Sequence, residues 1–146
     1  MSFKFPLAAV LRYRESIEQR EYYALESTQQ EIVRADTRIH QIEQDCAKAT
    51  QDRAAELAKG TRAADVEAAY EYQNALELQL KAVRALLQEL KMKWRQQLAS
   101  YTEARRNRET LEKLREKQLE AYNREQAKRE QSVMDDVFLA RRGRGN

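Results

Sequence analysis

One histidine, His40, one cysteine, Cys46, and an abundance of carboxylates are the residues on which acid–base, nucleophilic or metal chemistry would rest in this chain. A single Cys with a single His cannot furnish a protein-only metal site, and one Cys cannot close an internal disulfide. Cys46 falls on a run of regularly spaced apolar residues, where it reads as a small hydrophobe rather than a reactive thiol. His40 stands beside one of those apolar positions, Ile39, and reads as a solvated helix-face residue. Trp94 likewise reads as packing. With only 3 glycines, Gly60, Gly143 and Gly145, no Gly-rich phosphate loop is present. Carboxylates become catalytic when a concave, water-excluding pocket tunes them, and the elements described next build no such pocket. These residue types exclude an enzyme, and no cofactor or small-molecule ligand is expected.

Those elements are helices. Among 146 residues there are only 3 Gly and 1 Pro, so turns are few. Charged residues make up 35% and hydrophobic residues 42%, with Ala, Glu, Gln, Leu, Lys and Arg dominant and no β-branched runs, the profile of long helices or coiled coil. A mean hydropathy of −0.91 beside that hydrophobic share places the apolar residues in a narrow stripe rather than a pooled core. The 27 basic and 24 acidic residues are interleaved along the chain. Nucleic-acid binding concentrates basic residues on one face, so that function is not expected. No apolar run reaches the roughly 18 residues a membrane span needs. The opening MSFKFPLAAVLRYRE is too short and too charged for a secretory signal, and a cytosolic location is expected.

Phe3 and Phe5 precede Pro6, which suits a first helical turn because its missing N–H costs nothing there. Leu25, Ile32, Ile39 and Cys46 then recur every seven residues, with Thr28, Ala35, Ile42 and Ala49 three residues after each. This is a sustained coiled-coil seam. Leu7, Val10, Leu11, Ile17 and Tyr22 follow helical spacing but miss its register, which places a stutter near Glu18 to Tyr22. Lys59-Gly60-Thr61 is the one plausible interior break: Gly60 fits the left-handed position after a helix end, and the alternative is a continuous helix, since a single Gly inside one costs only about 1 kcal/mol. Thr61 or Asp65 is positioned to cap a second helix, with Glu67 in its first turn. That helix carries its own seam of Leu76, Leu80, Val83, Leu87, Leu90 and Trp94, then Tyr101 and Ala104 past a polar Gln97.

The expected fold is all-α: one antiparallel two-helix coiled coil over 1–146, with helix 1 at about 6–58, the turn at about 59–64 and helix 2 at about 65–140. Folded at Gly60 to Ala63, residue i faces approximately residue 122 minus i. At 1.5 Å per residue the helices measure roughly 75 and 110 Å, so some 25 residues of the second have no partner from the first. Glu120–Arg124 and Glu125–Arg129 support this overhang by only a few tenths of a kcal/mol each. A lone helix of that length is marginal in water, so the overhang is expected to order on binding. Phe3 and Phe5 at the start and Val137-Phe138-Leu139 near the end, set among charges, are candidate anchors for another protein. Tyr70 and Tyr72, just past the turn, are candidates for a second partner.

The terminal segments resemble the FliJ family, a coiled-coil component of the bacterial flagellar protein-export apparatus. Three stretches carry the resemblance, which extends over the whole chain. Phe3-Lys4-Phe5-Pro6-Leu7-Ala8-Ala9-Val10-Leu11-Arg12-Tyr13-Arg14 is similar to the family's opening. Tyr70-Glu71-Tyr72 through Leu76 and Leu80 is similar to the start of its second helix. Arg129-Glu130-Gln131-Ser132-Val133-Met134-Asp135-Asp136, followed by Arg141-Arg142, is similar to its terminal motif, with Ser132 in place of the usual Lys and Asp136 in place of the usual Glu. The resemblance implies a stalk for a hexameric export ATPase that also contacts the cytosolic domain of the export-gate membrane protein and helps cycle export chaperones. It implies a cytoplasmic protein peripherally associated with the inner membrane at the flagellar base, and a monomer. By the same resemblance the ring-docking residues are Phe3, Phe5, Leu7, Arg129, Glu130, Gln131, Asp135, Asp136, Phe138, Arg141 and Arg142, and the gate-contacting residues Tyr70, Tyr72 and Leu76. The alternatives are the equivalent stalk of a virulence-type secretion ATPase and a structural coiled coil with no secretion role.

Overall fold

The computed structural model describes residues 2–60 and 62–145. It is an all-α helical hairpin in which α1 (Ala8–Lys59, 52 residues) packs against the longer α2 (Ala63–Arg144, 82 residues). There is no strand among the described residues.

The ends of both helices follow from local backbone chemistry. Ala8 N–H donates to the Phe5 carbonyl (3.1 Å), closing a turn with Pro6 at its second position, where a fixed φ is favoured. Leu11 N–H donates to the Leu7 carbonyl (2.9 Å), so Leu7 receives the first helical bond and Pro6 lies ahead of the helix rather than in its first turn. At the other end Gly60 has φ +77°, and its N–H reaches the Leu57 carbonyl (3.3 Å). That left-handed conformation costs an L side chain about 1–2 kcal/mol. Open space surrounds the position of a Cβ at Gly60, so the penalty there is purely conformational. Gly60→Ala is expected to lower stability by about 1 kcal/mol, read as a drop of roughly 2–4 °C in the thermal midpoint. An unchanged midpoint would contradict the backbone assignment.

The second helix begins two residues before the expected Asp65. The Arg62 carbonyl accepts from the N–H groups of Asp65 (3.1 Å) and Val66 (3.2 Å), which puts Arg62 at the cap position. Asp65 is the acid of the first turn, favourable beside the exposed N–H groups but not a cap, and Glu67 lies beyond that turn. Thr61 lies outside the described residues.

Packing divides the chain into two units, one formed by residues 21–101 and the other by 1–20 with 102–146. In the first, Ala35, Leu87 and Leu90 form a buried cluster with Ile32, Ile39 and Val83 against it. Ile42 and Thr28 are the largest fully buried side chains. Thr28 satisfies its hydroxyl by donating to the Ala24 carbonyl (3.1 Å). Gln97 has no such partner for its buried Oε1, an arrangement that costs about 1–3 kcal/mol. Glu43 pairs with Arg84 (3.1 Å), and Arg53 donates to Gln73 (2.7 Å). In the second unit Phe5, Leu11 and Ala104 are buried, and Glu18 pairs with Arg108.

Two expectations need correction. The symmetric fold places Glu18 opposite residue 104, whereas its partner is Arg108, one helical turn further along α2. The helix bounds, Lys59 and Ala63, are themselves symmetric about residue 61, so the offset is not set by where the helices end. The stutter near Glu18 to Tyr22 is also absent. Buried and half-buried residues of α1 recur at 11, 14, 18, 21, 25 and 28 with the same alternating spacing that continues to 53. Tyr22 stands outside the seam, 47% exposed. Arg14, Glu18 and Glu21 hold the intervening positions, so the apolar pattern loses register while the geometry keeps it.

Candidate docking surface

The unit containing both termini is built from the N-terminal residues of α1 and the C-terminal part of α2. Phe3 packs on Tyr122 with ring centroids 5.6 Å apart, and Phe5 is only 8% exposed. Phe5 is therefore drawn into the helix pair, while Phe3, half-buried, rests on Tyr122. Leu7 remains at the surface.

Beyond Gln126 the pairing ends, and every described residue from 127 to 145 is exposed. α2 nevertheless continues to Arg144. Local pairs one turn apart support it: Arg124 with Glu120 (3.9 Å), Arg129 with Glu125 (3.7 Å), and Gln131 donating to Asp135 (3.0 Å). Each contributes only a few tenths of a kcal/mol. Arg141, Arg142 and Arg144 occupy the last turn, where cations complement the helix dipole.

The same segment exposes Val133, Met134, Val137, Phe138 and Leu139, with Phe138 at 64%. Val133 to Val137 and Met134 to Phe138 are each four residues apart, which aligns them as adjacent rows on one helix face. A shallow apolar groove there is lined by Arg129, Glu130, Val133 and Met134. Glu130, Asp135 and Asp136 stand exposed around it. Val137, Phe138 and Leu139 are the apolar residues that the sequence offers as anchors, and Val133 and Met134 extend the same exposed face. Phe3 and Phe5 are not brought together with the 129–142 segment, because they pack where the pairing stops short of it.

A second feature of this unit is a seam arginine, at an alternate position of the α2 seam in the sequence, whose acidic partners the sequence does not reveal. Arg108, on the α2 seam, donates from Nε and Nη2 to both carboxylate oxygens of Glu18 and from Nη1 to Glu112 (2.6 Å). The hydrogen bond to Glu18 is the main cause holding the Arg108 guanidinium more firmly protonated than usual. Glu109, 3.9 Å from Arg108, has its own cation in Arg105 (2.9 Å), whose hydrogen bond keeps the Glu109 carboxyl below the usual carboxylate range.

In the other unit, Tyr70 and Tyr72 are exposed, and the Arg53 guanidinium lies 4.5 Å from the Tyr70 ring centroid. Leu76 is 6% exposed and belongs to the interior of the helix pair, so it cannot present a contact surface. Leu25, Ile32, Ile39, Cys46, Leu80, Val83 and Trp94 are half-buried, and Ile42, Leu87 and Leu90 buried, all with seam spacing. His40 is solvated, 3.9 Å from Glu43. Among the described residues no acid, His and Cys cluster is arranged to hold a metal ion, and no helix is long and apolar enough to cross a membrane.

A family model described as "Flagellar FliJ protein" matches residues 3–146. Searches of curated proteins and of solved structures found no match. The match takes in the paired helices and the exposed end alike, and the chain thus belongs to the FliJ family, as a non-enzymatic component of the flagellar export apparatus.

Proposed function

We propose that this chain acts as the central stalk of the hexameric export ATPase, with the exposed end of α2 seated in the ring. The observation that carries this reading is the uninterrupted exposure of residues 127–145 on a helix that continues beyond its pairing with α1 among the described residues. Val133, Met134, Val137 and Phe138 supply apolar contact, while Arg129, Glu130, Asp135, Asp136, Arg141 and Arg142 supply charges of both signs. Interleaved charges make many weak, exchangeable contacts, suited to a shaft that serves several equivalent subunits. Leu7 sits on the same unit and is the exposed N-terminal candidate. Tyr70 and Tyr72 are the residues offered to the cytosolic domain of the export gate. Export chaperones are further partners on this reading, with the protein working as a monomer on the cytoplasmic side of the inner membrane.

Deleting Arg129 to Asn146 tests the ring assignment. The described residues removed are all exposed, so the thermal midpoint is expected to stay close to that of the full chain. Stimulation of the cognate ATPase is expected to fall to the level of the ATPase alone. Undiminished stimulation by a folded, truncated chain would refute the assignment.

A further inference from the structure

The terminal unit places charge inside the helix seam, where docking makes no use of it. Glu18 occupies the same heptad position as Leu11, Leu25, Ile32, Ile39 and Cys46, and half-buried Arg14 occupies the alternate position before it. The side chains of Glu18 and Arg108 are only 16% and 21% exposed. A desolvated ion pair adds little stability over an apolar pair of similar size, because the loss of hydration offsets the attraction. Its effect lies instead in which helix can pair with which.

From Leu25 to Cys46, α1 offers an apolar heptad seam that two copies of the chain could zip together in parallel. In register, such a dimer sets Glu18 against Glu18 and Arg14 against Arg14, with like charges facing each other away from bulk water. In the hairpin Glu18 meets Arg108 and both of its oxygens are satisfied. We infer that the Glu18–Arg108 layer, with Arg14, is a partner selector that commits α1 to antiparallel pairing with α2 and excludes its parallel association with α1 of a second copy.

The chain carries its own reporter. Cys46 is free, half-buried and on the α1 seam. In a parallel in-register dimer the two Cys46 residues face each other within disulfide reach; in the hairpin each faces α2. Wild type and the Arg14→Leu, Glu18→Leu, Arg108→Leu variant are compared at matched concentrations by sedimentation velocity and, after mild oxidation, by non-reducing electrophoresis. Wild type is expected to sediment as a monomer with little cross-linking. The triple variant is expected to self-associate with a dissociation constant at least about tenfold lower, equivalent to about 1.4 kcal/mol, and to yield a linked dimer that Cys46→Ala abolishes. E18L/R108L, which keeps Arg14, should fall between the two. Replacing the pair together leaves neither of its charges stranded, and circular dichroism confirms that the variants are helical. A triple variant that stays monomeric, one that dimerises without the Cys46 link, or a wild type that cross-links equally would each overturn the inference.

Discussion

Ile42→Ala is expected to cost about 2–4 kcal/mol, more than the same truncation at Ile32 or Ile39. A helix pair has a single internal face, so most seam side chains keep one edge in water: Ile32 and Ile39 are half-buried. Ile42, at 0% exposure, is the most deeply buried of the isoleucines. Removing a buried side chain forfeits its transfer free energy and leaves a cavity whose cost depends on how far the surroundings collapse, about 2–5 kcal/mol for Ile to Ala. At the half-buried positions water already touches part of the side chain, so both contributions shrink. Chemical denaturation with a common m-value measures the difference as a shift in midpoint. Equal losses at 42 and 39 would show that the seam is uniformly solvated and that burial at Ile42 has no special weight.

The same contrast explains what was legible beforehand. The seam from Leu25 to Ala49 can be read off the chain because Ile, Leu and Ala repeat at positions that burial then occupies. Gly60 was readable for a related reason: a left-handed residue at the end of a helix has few alternatives to glycine. Arg14, Glu18 and Glu21 hid the continuation of that seam, since a charged residue at a buried position is visible only when its partner is known. Glu18 finds that partner 90 residues away. The offset between the helices was equally out of reach, because composition does not encode it. The terminal motif falls on the exposed run of α2, whereas Phe3 and Phe5 pack against the helix pair. Exposed anchors and end-packing aromatics look identical in a sequence; the contact between Phe3 and Tyr122 separates them.

Arg108→Met should be the most damaging change in the terminal unit, and its partner's removal should repair it. Arg108 satisfies both oxygens of Glu18, so replacing it leaves a largely desolvated carboxylate without its cation. Breaking a buried pair from one side costs roughly 3–5 kcal/mol, and the residual exposure of this pair places the expected loss near the lower limit. Adding Glu18→Met removes the stranded charge from the seam and substitutes apolar contact. E18M/R108M is therefore expected to return to within about 1 kcal/mol of wild type or to exceed it, because apolar replacement of a buried pair is often neutral or stabilising. A double-mutant cycle on denaturation free energies isolates the coupling. Coupling below about 1 kcal/mol would be the behaviour of a surface ion pair and would mean that water reaches this layer freely. A strong coupling beside an undiminished double variant would assign the pair to choosing the partner helix, since the fold would then stand without it.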